Sequence, residues 1–513
     1  MSSPAYNRVT SVHFRPDHSV RIGMVASDLL LSLCGSVAIT FAFALASADF
    51  QHWFVVPVTI CGALIGADAV GWFRGRLDVF DPVGVIGILG VHFFFLAPLL
   101  HVYWDSWLLY VVPPNDWRDW LGKMACFNIV GILAYLFSRR LYLQKRGSIE
   151  QARIWCLDLA RFNRLLIPAL FITGLLQVYV YATSGGIAGY IYSAANETGA
   201  FQGKGFLFMF SESFPILAFF GFAVWARGKK FSKSWLLLFG VLLFYFVLKI
   251  LFGGLRGSRS NTIWGIMWAV GVLHLWVRPI PKKYIGFGLA FLFAFMYLYG
   301  FFKSYGVDAL DIIQSPELRQ QKSEQSGRTF EATLLGDLGR SDIQAYVLYE
   351  LWPDERDNDF NYAHGRTYIG AMTLLIPSSI WPTRPATKTQ PGTELIVGRG
   401  AYAQGYRASR VYGLAGEAML NFGVFSIPLV FIGLGAAVAI VRRWFLSWQH
   451  GDARILLIPF LVNLCFLIMT ADSDGVVFFA VKNGLVPFAL IALAAKPSAQ
   501  SLLQTHGRPN IAS

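Results

Sequence analysis

The sequence predicts an all-α polytopic membrane protein with about twelve transmembrane helices and one large external loop. Three observations lead there. Of 513 residues, 55% are apolar and only 14% are charged, where a soluble domain has about a quarter of its residues charged; mean hydropathy is +0.50. Apolar runs of about 20 residues, enough to cross roughly 30 Å of hydrocarbon as a helix, recur along nearly the whole chain. Every second connection between these runs is basic, as the positive-inside rule requires of a multi-span protein.

In order, the expected spans are Ile22–Ala46, Trp53–Phe73, Val83–Tyr103, Trp120–Phe137 (with Lys123 inside it), Leu165–Tyr181 and Phe206–Ala226. They continue with Trp235–Leu251, Thr262–Val277, Tyr284–Phe302, Leu414–Val441, Ile455–Thr470 and Val476–Ala495. The basic connections hold Arg74 and Arg76; Arg139, Arg140, Lys145 and Arg146; Arg227, Lys229, Lys230 and Lys233; Arg278, Lys282 and Lys283; and Arg442 and Arg443. Arg8, Arg15 and Arg21 precede the first span and Lys496 follows the last, so both termini are expected in the cytoplasm. Met1–Arg21 is polar, and the run after it is too long for a signal-peptide core and lacks a cleavage site. The formal charge of +13 is largely this bias. With no nucleic-acid-binding motif, no nucleic-acid partner is expected.

The five cysteines, Cys34, Cys61, Cys126, Cys156 and Cys465, fall in spans or on the cytoplasmic side without metal-type spacing. That excludes an external disulfide framework and argues against a cysteine nucleophile or a cysteine-ligated zinc.

The connection from Lys303 to Gly413 is far longer than structureless loops usually are, which points to function. It divides the chain into an N-terminal bundle (1–302), the loop (303–413) and a C-terminal membrane part with its tail (414–513). The loop's first half is acidic, with Asp308, Asp311, Glu317, Asp337, Asp342 and the cluster Asp354–Asp359; its second half is basic, with Arg366, Arg384, Lys388, Arg399, Arg407 and Arg410. Leu334, Leu335, Leu338, Val347, Leu348 and Leu351 fall near helical spacing, predicting an amphipathic helix over the membrane part. Gly370–Trp381 is apolar but too short to span, and Pro377, Pro382 and Pro385 mark it as re-entrant or interfacial.

One outward connection breaks the charge rule: Gly253-Gly254-Leu255-Arg256-Gly257-Ser258-Arg259-Ser260-Asn261. Lys249 lies on roughly the same helical face as Arg256, about 10 Å deeper. The glycines open the backbone, and planar, permanently charged guanidinium groups suit phosphate. The alternative is an arginine pair held by the acidic half of the loop, or reaching to lipid headgroups. A basic external surface at the membrane boundary, above a wide apolar bundle, is what a lipid-linked pyrophosphate substrate requires.

The stretch Tyr412-Gly-Leu-Ala-Gly-Glu417-Ala-Met-Leu-Asn421-Phe-Gly423, which runs into an apolar span, resembles a segment of the bacterial oligosaccharide repeat-unit polymerases, the Wzy-type O-antigen polymerases. Trp381-Pro382-Thr-Arg384-Pro385 is similar to their Pro-Trp-Pro-Lys-Pro segment, with Arg384 in place of the lysine, and Leu255-Arg256-Gly257-Ser258-Arg259 to their Gly-Ser-Arg turn. The local resemblance covers about a fifth of the chain, and its topology supports the rest. It implies a GT-C-like bundle in the bacterial inner membrane with the loop and active site facing the periplasm. It also implies glycosyl transfer from an undecaprenyl-pyrophosphate-linked chain to a lipid-linked acceptor repeat unit. The implied partners are that lipid-linked oligosaccharide, membrane lipids and a chain-length regulator protein; no cofactor is implied.

Such a site must stabilise departing pyrophosphate and accept a proton from a sugar hydroxyl. The pyrophosphate candidates are Arg256, Arg259, Lys249, Arg407, Arg410, Arg366 and Arg399, each with a surface salt bridge as its alternative. For the proton, Glu417 comes first, at the expected outer mouth of a helix where burial raises its pKa; its alternative is a structural partner for an arginine. His364, the loop's one histidine, comes second. Asp28, Asp68, His92, Glu212 and Lys249 either line a path, as in a transporter, or pair across helices. Asp472-Ser-Asp474 and Asp357-Asn-Asp359 match a cation-binding pattern too short to carry a metal site, so no metal is expected. The competing functions are an O-antigen ligase-like transferase and a lipid-linked oligosaccharide flippase. Against the flippase stand the absence of an evident internal repeat and the size of the external loop.

Overall fold

A computed structural model describes residues 26–108, 110–144, 154–196, 201, 204–256, 259–306, 309–326, 329–352, 360–376, 380–408, 410–448 and 451–498. Of the residues singled out above, Arg8, Arg15, Arg21, Lys145, Arg146, Gly257, Ser258, Asp308, the 354–359 cluster and Pro377 lie outside them.

Among the described residues, eleven helices are long and apolar enough to cross a membrane: Ala26–Ala46, Val55–Phe73, Pro82–Tyr103, Trp117–Gln144, Leu159–Thr183, Gly205–Ala226, Trp235–Arg256, Lys282–Lys303, Val424–Ser447, Ala453–Thr470 and Ser473–Ala494. The first of them packs with its polar residues inward. Ala26–Ala46 buries Asp28, Ser32 and Ser36 while Leu30, Phe41 and Leu45 stay exposed. Ser32 and Ser36 meet Gly62 and Gly66 of the next helix, where an added Cβ would run into the serine hydroxyls, and Ser32 donates to the Gly62 carbonyl at 3.2 Å. Small residues let two backbones approach where lipid offers no hydrophobic driving force between helices. Trp117–Gln144 and Val424–Ser447 use the same device: Gly435 lies against the Tyr135 carbonyl, and Ser138 donates to the Ile432 carbonyl at 2.8 Å.

Several arginines of the basic connections are tied to carboxylates on neighbouring helix ends. Arg442 pairs with Asp81 at 3.1 Å, Arg139 with Asp68 and the Tyr135 hydroxyl, and Arg74 and Arg76 with Asp28. Asp28 and Asp68 therefore pair across helices rather than lining a path. Where the last helix ends, Ala495–Pro497 pairs antiparallel with Trp155–Leu157, and Lys496 reaches Asp158 at 2.6 Å.

Three expectations need correction, and a fourth segment gains detail. The segment Thr262–Val277 is helical, as Arg259–Val272 followed by a π-helical turn at Leu273–Val277, but it is not among the eleven. Its polar residues face protein: Asn261, Thr262 and His274 are buried, the Trp268 indole donates to the Leu456 carbonyl at 2.9 Å, and Gly271 sits against Pro459. Leu414–Val441 is not one helix. Gly413–Phe422 stops at Gly423, whose φ of +78° suits only glycine well, and the spanning helix begins after it. The predicted amphipathic helix is two pieces, a π-turn at Thr333–Asp337 and the helix Ser341–Glu350. That second helix lies inside the protein rather than on a surface, burying Ile343, Val347 and Leu348 but also Ser341, Gln344 and Glu350. Finally, within Gly370–Trp381, residues up to Thr373 belong to the helix Arg366–Thr373. It buries Thr367, Gly370 and Ala371 and leaves Ile369 and Met372 exposed. Arg384 ties down the chain just beyond that helix by donating to the carbonyls of Leu374 and Ile376 at 3.0 and 2.7 Å.

Candidate functional site

Two buried polar clusters stand out, and the last helix carries a member of each. The first forms around Glu212. Pro215 has no N–H, and its ring clashes with the carbonyl four residues back. The helix therefore breaks between Gly205–Ser211 and Phe214–Ala226, at the residue that turns into the bundle. The Glu212 side chain is 1% exposed. Its Oε1 accepts from Arg256 Nη2 at 2.6 Å, and its Oε2 accepts from Asn261 Nδ2 at 2.5 Å and pairs with Lys482 Nζ at 2.6 Å. Lys249 Nζ donates to Asn261 Oδ1 at 3.4 Å. Two basic side chains thus meet one carboxylate, and a third is linked to it through Asn261. The Arg256 guanidinium also lies 4.0 Å over the Phe208 ring. Gly253 makes the turn possible: its φ is +127°, and an added Cβ would come within 2.7 Å of the Glu212 carboxyl. A small cavity, with room for about one water molecule, lies alongside, lined by Glu212, Tyr245, Lys249, Trp264, Trp268 and Asn483 among others.

The second cluster centres on Glu417, on Gly413–Phe422. The residue is buried. Its carboxylate accepts from the Thr367 hydroxyl at 2.7 Å and from both the hydroxyl and the backbone N–H of Ser473 at 2.6 Å each. Asn421, one turn on, donates to the Thr367 hydroxyl and the Glu417 carbonyl and accepts from the Gly365 N–H. Among the described residues no cation lies within ion-pair distance of Glu417, so the arginine partnership considered for it is not what holds it. Burial raises its pKa above the usual 4.5 and the nearby Asp472 raises it further, while the Ser473 and Thr367 bonds pull the other way. Asp472 is itself pushed up by burial, against the pull of Lys388. It pairs with Lys388 and accepts the N–H groups of Tyr412 and Gly413 at 2.9 Å. Asp474 lies 3.7 Å from the same ammonium. In Asp472-Ser473-Asp474 a lysine thus sits where a divalent cation would. Among the described residues no group of three or more His, Cys, Asp or Glu side chains is placed to hold a metal.

The structure brings Lys249 and Arg256 together at the first cluster. Arg259 opens the next helix and donates to the Met296 carbonyl at 3.4 Å. His364 is exposed at a φ of +46°, and its backbone N–H donates to the Asn421 carbonyl at 3.0 Å. Arg366 begins the helix that carries Thr367, half-buried. Arg399 and Arg407 are exposed, and Arg407 folds back onto its own turn, donating to the Tyr402 and Tyr406 carbonyls at 2.7 Å and stacking 3.8 Å from the Tyr402 ring. Arg410 is half-buried, two residues before Tyr412. His92 is tied to the Leu334 carbonyl at 3.1 Å.

Sequence reasoning missed Lys482, although a lysine ten residues into an apolar helix is a signal by its cost alone. It also missed Thr367 and Ser473, whose hydroxyls leave no such mark. Ser473 and Lys482 lie nine residues apart on Ser473–Ala494, about 13 Å along the axis, so the last helix joins the clusters. Compared with protein-family models, curated proteins and solved structures, the chain matches none.

Proposed function

We propose that this chain is a membrane glycosyltransferase of the bacterial inner membrane, polymerising undecaprenyl-pyrophosphate-linked oligosaccharide repeat units on the periplasmic face. The observation that carries the reading is the gathering of Arg256, Lys482 and Lys249 around the single carboxylate of Glu212, inside a bundle of apolar helices. Basic groups in excess of acidic ones are costly in such a place unless an anion uses them. In this reading the polyprenyl tail lies between helices and its pyrophosphate meets these cations. A hydroxyl of the acceptor repeat unit attacks the anomeric carbon of the donor chain. The C–O bond to pyrophosphate breaks with its electron pair leaving on the phosphate oxygen, and the hydroxyl proton goes to Glu417. The Glu417 environment favours that role: burial holds its pKa above the ordinary value, nearer to where a general base works well. Arg366 and Arg410 remain candidates for holding substrate nearby.

The test is single-turnover assembly in nanodiscs with purified protein and lipid-linked repeat units, with Arg256→Ala and Arg410→Ala alongside. A ladder of lipid-linked oligomers formed without nucleotide or second acceptor, and weakened in both variants, supports the polymerase. A second reading, a flippase, draws on the depth of the Glu212 cluster within the spanning helices. Movement of lipid-linked oligosaccharide across vesicles with no ladder would favour it, and transfer only to a different acceptor would favour a ligase.

A further inference from the structure

We infer that the Glu212 carboxylate occupies an anion site: the donors around it form a phosphate cradle, and a pyrophosphate oxygen takes that cradle by displacing Glu212. Resting on the proposed function for the source of the anion, the inference adds Asn261 as a ligand and makes Glu212 a built-in competitor.

The donor set carries the argument. A guanidinium, an ammonium and an amide converge on two carboxylate oxygens at 2.5 to 2.6 Å, the charge-assisted geometry that phosphate oxygens accept equally well. The cradle is also larger than its occupant needs. Lys249 is 3% exposed and spends its ammonium on the Asn261 carbonyl oxygen at 3.4 Å, a weak use of three donors. Beside Glu212 and Asn261 in sequence, the hydroxyls of Ser211 and Thr262 are buried without a hydrogen-bond partner among the described residues, a state that buried polar groups rarely keep. A carboxylate offers two oxygens and one charge, whereas a pyrophosphate group has oxygens enough for Lys249 as well. Glu212 also faces a small cavity that it lines with Lys249 and Asn483.

Competition has two consequences. Removing the resident charge strengthens anion binding, and removing a cradle cation weakens it. The experiment titrates inorganic pyrophosphate into the full-length protein in phosphatidylcholine nanodiscs by calorimetry. Glu212→Gln is expected to bind on the order of tenfold more tightly, and Lys482→Met on the order of tenfold more weakly, than the parent. Glu212→Asp guards against a Glu212→Gln protein that fails to fold: it keeps a carboxylate but is too short to hold Arg256 and Lys482 together, and it is expected to bind more tightly than the parent. Equal or weaker binding in the folded Glu212 variants overturns the inference, as does unchanged binding in Lys482→Met. Repeating the titration in phosphatidylglycerol discs separates the sources. Unchanged affinity supports a site for pyrophosphate, while binding lost there and present in phosphatidylcholine overturns that assignment in favour of a phospholipid headgroup. If the oligomer ladder forms but pyrophosphate binding ignores these variants, the displacement idea fails and the polymerase stands. If binding responds and no ladder forms, the anion site stands and the polymerase fails.

Discussion

Ser473 gives both its hydroxyl and its backbone N–H to the carboxylate of Glu417, at 2.6 Å each. The bond joins the short helix before Gly423 to the first turn of the last spanning helix, and Thr367 brings in a third element. A carboxylate so placed is a clasp by geometry, and in the proposed mechanism it is also the proton acceptor. The two roles are separable because they make different demands on the side chain.

Glu417→Ala removes the acceptor for three donors. An unsatisfied buried donor costs about 1–3 kcal/mol, so thermal unfolding is expected several degrees lower. Glu417→Gln keeps the shape. Its carbonyl oxygen can still take the Ser473 N–H, and its amide can donate to the two hydroxyl oxygens once their protons turn away. The glutamine variant is therefore expected to unfold close to the parent and to make no oligomer ladder. A folded glutamine variant with parental turnover would leave Glu417 as a clasp only.

The raised pKa gives a second check. Unfolded, the Glu417 carboxyl titrates near its ordinary 4.5; folded, burial and Asp472 hold it higher. Between the two values the folded state binds more protons than the unfolded, so this group's contribution to stability declines as pH rises through that window. Unfolding temperature measured upward from pH 4.5 should fall less steeply in Glu417→Gln than in the parent. Activity should run the other way, rising with pH as the base is unmasked. Asp472→Asn, which removes a neighbouring negative charge, should move that rise to lower pH.

Lys388 and Asp472 form a buried pair that anchors the start of Thr389–Val397 to the last helix. Losing one partner of such a pair typically costs about 3–5 kcal/mol, because the other charge stays buried. Lys388→Met should therefore destabilise strongly. The double variant Lys388→Met with Asp472→Asn should recover part of the loss, since asparagine still accepts the Tyr412 and Gly413 N–H groups. A double-mutant cycle on unfolding temperature reads this coupling. Strict additivity would mean that the pair does not act as a unit.

How much of the fold was legible in the sequence is decided by what each signal measures. Apolar runs located all eleven helices that are long and apolar enough to cross a membrane, because that length and composition are read directly from sequence. The same reading counted Thr262–Val277 as a twelfth, but Ser260, Asn261 and His274 leave the helix it belongs to less apolar than the eleven. The Gly253–Asn261 turn was visible through its misplaced arginines, but its carboxylate partner was not: Glu212 is 44 residues from Arg256, and only folding joins them. Gly423 belongs to the Tyr412–Gly423 motif, yet the apolar residues on both sides of it hide that its positive φ ends one helix before another begins.

Arg407 separates a substrate arginine from a folding one. Its guanidinium is already bound to two carbonyls of its own turn and stacked on Tyr402 at an exposed position. Arg407→Ala is expected to change oligomer assembly by no more than about twofold, the scale of surface substitutions, while Arg256→Ala weakens it well beyond that. A large loss in Arg407→Ala with unchanged unfolding would return this residue to the substrate site.

Two glycines beside the Glu212 cluster test how tightly its backbone is specified. At Gly253 the φ of +127° is strained for any side chain, and an added Cβ would run into Asn261 Nδ2 and come within 2.7 Å of the Glu212 carboxyl. Both obstacles are held by the cluster's own bonds, so neither can yield without breaking one. At Gly265 an added Cβ would come within 2.6 Å of Lys249 Cε, the far end of a flexible chain that can shift. Gly253→Ala is thus expected to cost about 2 kcal/mol or more and to weaken oligomer assembly together with unfolding temperature. Gly265→Ala should lower assembly with little change in unfolding, because it moves a cation rather than the turn. Equal unfolding temperatures for the two variants would show that the turn gives way as easily as the lysine, and that the cluster is not held rigidly by its backbone.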